Sequence, residues 1–170
     1  MKNLFILLIP TLLIIFFSCD KNETVETENV KFILDSKSVD GKVKGFRFES
    51  KQIIDYPNSN GVKPDFTVLA QVKSAGLIIG PYLSNPDMKN TFVLTKEFSN
   101  LDSAKLFYST YDYSNDSTFE VMALDVKPYQ IWTIKTENEL RGKILILKTL
   151  GAEIDSTPYA EMEFLADKIK

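Results

Sequence analysis

The chain has 170 residues, a formal net charge of −3, one cysteine and no histidine. The missing histidine excludes a Ser-His-Asp triad, a Cys-His pair, a His-ligated zinc and any imidazole acid–base group. Arginine is confined to Arg47 and Arg141, and so nearly neutral a body makes a poor partner for a phosphate backbone, so nucleic acid is not an expected partner.

In chain order, the first element is the apolar run of MKNLFILLIPTLLIIFFSC, with Lys2 ahead of it and Pro10 inside it. A membrane-spanning helix needs ~20 apolar residues. This run is shorter and interrupted, so residues 1–18 read as a signal peptide. A buried core helix would need a polar face, which this run lacks. Cys19 stands where the apolar run stops and an acidic one starts. DKNETVETEN, residues 20–29, has four acids, one lysine and only Val25 as an apolar residue. Such a stretch cannot bury enough surface to offset its ordering entropy, so residues 19–29 are predicted to be a tether. Residues 30–170 are then a single domain.

Alternation with period two dominates that domain and predicts half-buried antiparallel strands. Phe46 and Phe48 share a face, as do Phe66, Val68, Ala70 and Val72. Loops are predicted at NSNG (58–61) with Pro57 and Pro64, at Ala75-Gly76 and at SNPDMKN (84–90). From Ser99 the period changes: Leu101, Ala104, Tyr108 and Tyr111 fall on one helical face. Ser99 is the expected cap, with Asp102 three residues on, and a helix of about three turns follows. In FEVMALDV, Met122, Leu124 and Val126 are predicted to point one way. Trp132 and Ile134 pair in QIWTIKT, and ENEL (137–140) makes a short hairpin to the next strand. KILILK (143–148) is apolar on both faces and is expected at the sheet centre. In YAEMEFLA, Ala160, Met162, Phe164 and Ala166 point inward, with Glu161 and Glu163 outward. The predicted fold class is mainly β with one helix, a β-rich α+β domain built as a twisted antiparallel sheet or sandwich.

Two constellations bear on chemistry. FYSTYDYSNDSTF (107–119) clusters aromatic side chains beside Asn and Asp, which suits stacking of a sugar or a flat macrocycle, although one helix's buried side reads the same way. With Trp132, its Tyr108 and Tyr111 are the candidate ligand-binding residues. D-x-S-x-D-x-T-x-E, from Asp112 to Glu120, alternates oxygen ligands. Ser117 stands where an EF-hand needs glycine and Ala123 where it needs the bidentate glutamate, so it fails as one.

Phe16-Phe17-Ser18-Cys19 resembles the lipobox of bacterial lipoproteins, with Phe16 and Phe17 in place of the more usual Leu and small residue. The resemblance implies cleavage before Cys19 and acylation of its sulfur and new amino group; two or more acyl chains hold a protein stably on a membrane. With its only cysteine acylated, the chain forms no disulfide. The acidic stretch that follows resembles the surface-export signal of Bacteroidota lipoproteins. Asp102-Ser103-Ala104, Asp116-Ser117-Thr118 and Asp155-Ser156-Thr157 resemble the O-glycosylation tripeptide of secreted proteins from that group. The body from about Val30, with its "PDF", "LDSAK" and "QIW-IKT" blocks, resembles small flavobacterial lipoproteins. Its VKPYQIWTIKTENELRGKILILKTL stretch resembles the C-terminal hairpin of HmuY-like haem-binding lipoproteins. Those hold haem iron between two axial side chains, histidines or methionines; here the resemblance implies methionines, with Met88 and Met122 as the candidates beside Met162.

The sequence therefore leads to a non-catalytic binding or accessory lipoprotein, anchored to the outer membrane through its acyl chains and displayed at the cell surface. Its ligand is a small molecule, a glycan or an envelope protein. The alternative is a haem carrier, with haem as the only candidate cofactor. A third reading is a hydrolase, which needs two carboxylates ~5–9 Å apart in a groove.

Overall fold

A computed structural model describes residues 30–73, 76–112, 116–136 and 138–167. The predicted leader, Cys19 and the acidic tether lie outside the described residues, as do Tyr113 of the aromatic cluster, Ala75 of one predicted turn and Glu137 of another.

The described residues form two five-stranded antiparallel sheets and one helix, a β-rich sandwich. The first sheet contains β1 (Lys31–Asp35), β10 (Thr157–Ala166), β9 (Arg141–Ile154), β8 (Gln130–Lys135) and β6 (Phe92–Glu97), in that spatial order. The second contains β3 (Gln52–Tyr56), β2 (Val43–Arg47), β4 (Phe66–Val72), β5 (Ile78–Ser84) and β7 (Met122–Ala123). Helix α1 (Leu101–Thr110) lies on the outer face of the first sheet.

Alternation explains the core. Met162 and Phe164 of β10, Ile144 and Ile146 of β9, and Trp132 and Ile134 of β8 reach inward to Phe46, Phe66, Val68 and Leu83 of the second sheet. Five phenylalanines meet there. Phe46 sits among Phe32, Phe48, Phe66 and Phe164 with ring centroids 4.7, 5.1, 5.6 and 5.2 Å away, partly edge-to-face. The intervening residues Ile131, Leu145 and Leu165 face the other way and receive Ala104 and Tyr108 of α1.

The long β9–β10 hairpin turns at Asp155 and Ser156, both with positive φ. It closes over the second sheet where Gly151 meets Gly80: a Cβ on Gly151 would lie 2.6 Å from the Gly80 backbone nitrogen, so no larger residue fits that approach without movement.

Three sequence expectations need correction. The helix is capped by Asn100, not Ser99: its Oδ1 accepts the Ser103 N–H at 2.9 Å, one of the donors that a first turn leaves unpaired. Met122, Leu124 and Val126 do not share a face, because β7 stops at Ala123 and Asp125 turns at φ 52°; Ala123 and Val126 are buried while Leu124 is exposed. KILILK is central but not wholly apolar within, since Lys143 is itself buried on the helix side.

Candidate functional site

The structure separates the three candidate ligand-binding residues. Tyr108 is buried beneath α1 on the outer face of the first sheet. Trp132 is buried on the inner face, its Nε1 donating to Gln130 Oε1 at 3.1 Å. Successive residues on a strand point to opposite faces, so Ile131 meets the helix and Trp132 cannot. A pocket lined by Tyr108, Tyr111 and Trp132 together is therefore not formed. The cluster is mostly one helix's packed side, the plainer of its two sequence readings.

Tyr111 closes α1. It stacks on Phe107 with centroids 4.8 Å apart, and its hydroxyl donates to Asp116 Oδ1 at 2.5 Å. The other Asp116 oxygen accepts from Thr95 Oγ1 at 3.0 Å, and Thr95 lies 2.9 Å from Thr133 Oγ1. Both oxygens of this carboxylate thus serve a hydroxyl network that fastens the 116 segment to β6 and β8. Among the described residues no cluster of three or more Asp, Glu, His or Cys is placed to hold a metal ion. The bond to Asp116, then burial, pushes the Tyr111 phenol up to about 12. The Tyr159 phenol, half-buried and bonded to Glu161 Oε2 at 2.8 Å, is likewise pushed up to about 12. A raised phenol favours the protonated folded form. Its stabilisation is complete below the ordinary value of about 10 and is lost as pH rises through about 12. Denaturant unfolding between these limits should show stability falling with pH, and Tyr111→Phe should remove part of the fall. An identical slope in the variant would mean that the Asp116 bond contributes nothing.

Under the C-terminal turn of α1, the sheet carries a buried cation. Lys143 Nζ donates to the backbone oxygens of Tyr108 and, at 3.0 Å, Tyr111, and lies 4.8 Å from the centre of the Tyr108 ring. Asp167 faces it at 3.3 Å. Two carbonyls at the end of the helix, where the backbone dipole is negative, thus meet a positive charge. Nothing in the KILILK run signals this, because the partner carbonyls lie more than thirty residues away.

Beside α1 runs a groove of about 830 Å³, between the helix and β10–β1. Tyr108, Leu147 and Leu165 form its apolar floor, and Lys31, Lys105 and Lys148 stand along it with Glu163 and Asp167. Leu106 is 70% exposed on its helical wall. Both carboxylates are engaged, Glu163 with Lys31 at 3.4 Å and Asp167 with Lys143. The groove offers apolar contact framed by ammonium groups, which suits binding.

Met88 and Met122 are each neighbours of Ser84. Met122 is the cross-strand partner of Ser84, whose Oγ lies 3.7 Å from Met88 Sδ, on the outer face of the second sheet. The cavity beside Met88 is lined by Asn, Asp, Lys and Thr, and Met122 is not part of its wall. The flat apolar faces of a haem need apolar walls, so these residues do not fit the group. Met162 is wholly buried in the core.

No family model, curated protein or solved structure matches the chain. No helix among the described residues is long and apolar enough to cross a membrane, a statement that leaves strand-built spans aside.

Proposed function

We propose that this is a lipid-anchored lipoprotein of the cell envelope, a non-catalytic binding module that takes its ligand in the groove beside α1. The groove carries the reading: an apolar floor of Tyr108, Leu147 and Leu165, wide enough for an extended ligand, with Lys31, Lys105 and Lys148 to hold polar or anionic parts of it. The anchor rests on the leader and on Cys19, the chain's only thiol. Acyl chains would hold the module at the outer membrane without a protein span. β1 begins at Lys31, within the groove wall, so the segment from Cys19 leads directly into the element that frames the site.

Intact-mass measurement on protein from its native membrane tests the anchor. The expected result is a chain cut before Cys19 and carrying acyl mass, and Cys19→Ser should move the protein out of the membrane fraction. An unmodified thiol on an uncut chain refutes the anchor. Native mass spectrometry of the same material reads what co-purifies. Leu106→Asp, on an exposed wall position, should release a groove ligand while the fold is kept; retention of the ligand places it elsewhere.

A further inference from the structure

The charges along the α1 groove do not balance. Glu163 pairs with Lys31 at 3.4 Å, and Asp167 faces the buried Lys143 at 3.3 Å. Both acids of the lining are thereby matched. Lys105 on α1 and Lys148 on β9 stand along the same groove, and neither makes an ion pair among the described residues. Lys148 is directly across the ladder from Glu163, yet that carboxylate is held at Lys31. Asp102 precedes Lys105 by one helical turn but is not part of the groove wall. Two ammonium groups are left to be answered by a ligand.

The remaining lining is apolar. Leu101 and Leu106 of α1 and Leu147 of β9 rise above a floor closed by Tyr108 and Leu165. The volume, about 830 Å³, lies in the upper part of the range for small-molecule sites, ~300–1,000 Å³. A neutral polar ligand would leave both ammonium groups unanswered and cover leucine with polar atoms. A cation would be repelled. A small free anion would meet only exposed lysines, whose pull is weak in water and salt, and would leave the leucines bare. A hydrocarbon chain with an anionic head uses both halves of the lining, and each methylene laid on the leucines adds to its affinity.

We infer that the groove binds a long-chain carboxylate, a fatty acid, with Lys105 and Lys148 matched to its head and the leucines to its chain. The inference rests on the groove being the binding site, as proposed above. The test labels the full chain, in nanodiscs of neutral phospholipid, with a photoreactive diazirine analogue of stearate and maps the crosslinks by mass spectrometry. Crosslinks should fall on residues 101–109, 147–148 and 163–167. Oleate should compete about fivefold more strongly than oleyl alcohol, which has the same chain without the charge, and salt should narrow the difference. Lys105→Gln with Lys148→Gln should lower groove labelling about fivefold, the size expected of two exposed charge contacts, and Leu106→Asp should lower it as well. Groove crosslinks with equal competition by oleate and oleyl alcohol, or with unchanged labelling in the double variant, would overturn the fatty-acid inference and leave the groove as a site for another ligand. Crosslinks confined to other residues, or no protein labelling above that of the lipid, would overturn the inference; groove labelling that Leu106→Asp does not lower would count against the groove itself.

Discussion

Phe46→Ala should lower the unfolding free energy by about 4 kcal/mol. Phe46 is completely buried and touches four other phenylalanine rings contributed by β1, β10, the start of β4 and the turn just after β2. Truncation removes its own transfer energy. It also leaves a cavity between two sheets whose backbones are tied by their own ladders and cannot collapse into the space. Edge-to-face pairs are worth ~0.5–1.5 kcal/mol each beyond area, but they share one ring and do not add. Domains of this size are usually stable by ~5–15 kcal/mol, so the variant should unfold at a much lower denaturant concentration. Trp132 lies in the same core, so its fluorescence reports the transition. Phe46→Leu, which keeps most of the volume, should lose much less. Near-equal losses would show that ring geometry, not cavity formation, sets the energy at this position.

Lys143→Ala should cost about 3 kcal/mol. A hydrogen bond to a charged group contributes ~1.5–3 kcal/mol, and a buried carbonyl left without a partner adds a penalty of its own. Lys143 serves two such carbonyls, those of Tyr108 and Tyr111, and its stem fills space beside Leu145 beneath α1. Its pair with Asp167 counts for little, because that carboxylate is 45% exposed. Lys143→Met keeps the stem but not the donors, and should fall between wild type and Lys143→Ala in thermal unfolding. The damage should be local as well as global: amides of 107–111 should exchange faster than those of β9. Wild-type protection of that turn in Lys143→Ala would mean that α1 ends without help from the sheet.

Period-two patterning placed most of the sandwich correctly. Phe66 and Val68, Trp132 and Ile134, and Ala160, Met162 and Phe164 all lie on the inner faces to which alternation assigned them. That signal is local: a strand with one buried face must write its burial into every second residue. The helix was legible for the same reason, because Ala104 and Tyr108 repeat at helical spacing. The failures also have local causes. Leu124 follows the alternation of FEVMALDV, yet β7 has already ended and Asp125 has turned the chain. Asn100 and Ser99 are both competent caps, and only the path of the chain out of β6 chooses between them.

The candidate sites were legible far less well. Aromatic content brought Tyr108, Tyr111 and Trp132 to attention, but composition carries no information about which face of which sheet a ring occupies. Here the sheet itself separates Tyr108 from Trp132. The α1 groove exists because a helix of ten residues packs over β8, β9 and Leu165 of β10 and leaves β1 beyond its edge, with Ile33 exposed, an outcome of packing across the sheet. Lys143 and Thr136 read in sequence as an ordinary strand lysine and a strand-end threonine. Burial made one a helix terminator and left the other's hydroxyl without a partner among the described residues. From its residues alone, this chain specified a β-rich domain and the periodicity of its core, because both are written in neighbouring side chains. Which polar groups meet, which stay unpartnered and where a ligand would lie depend on contacts between residues far apart in the chain, and only the folded sandwich decides those.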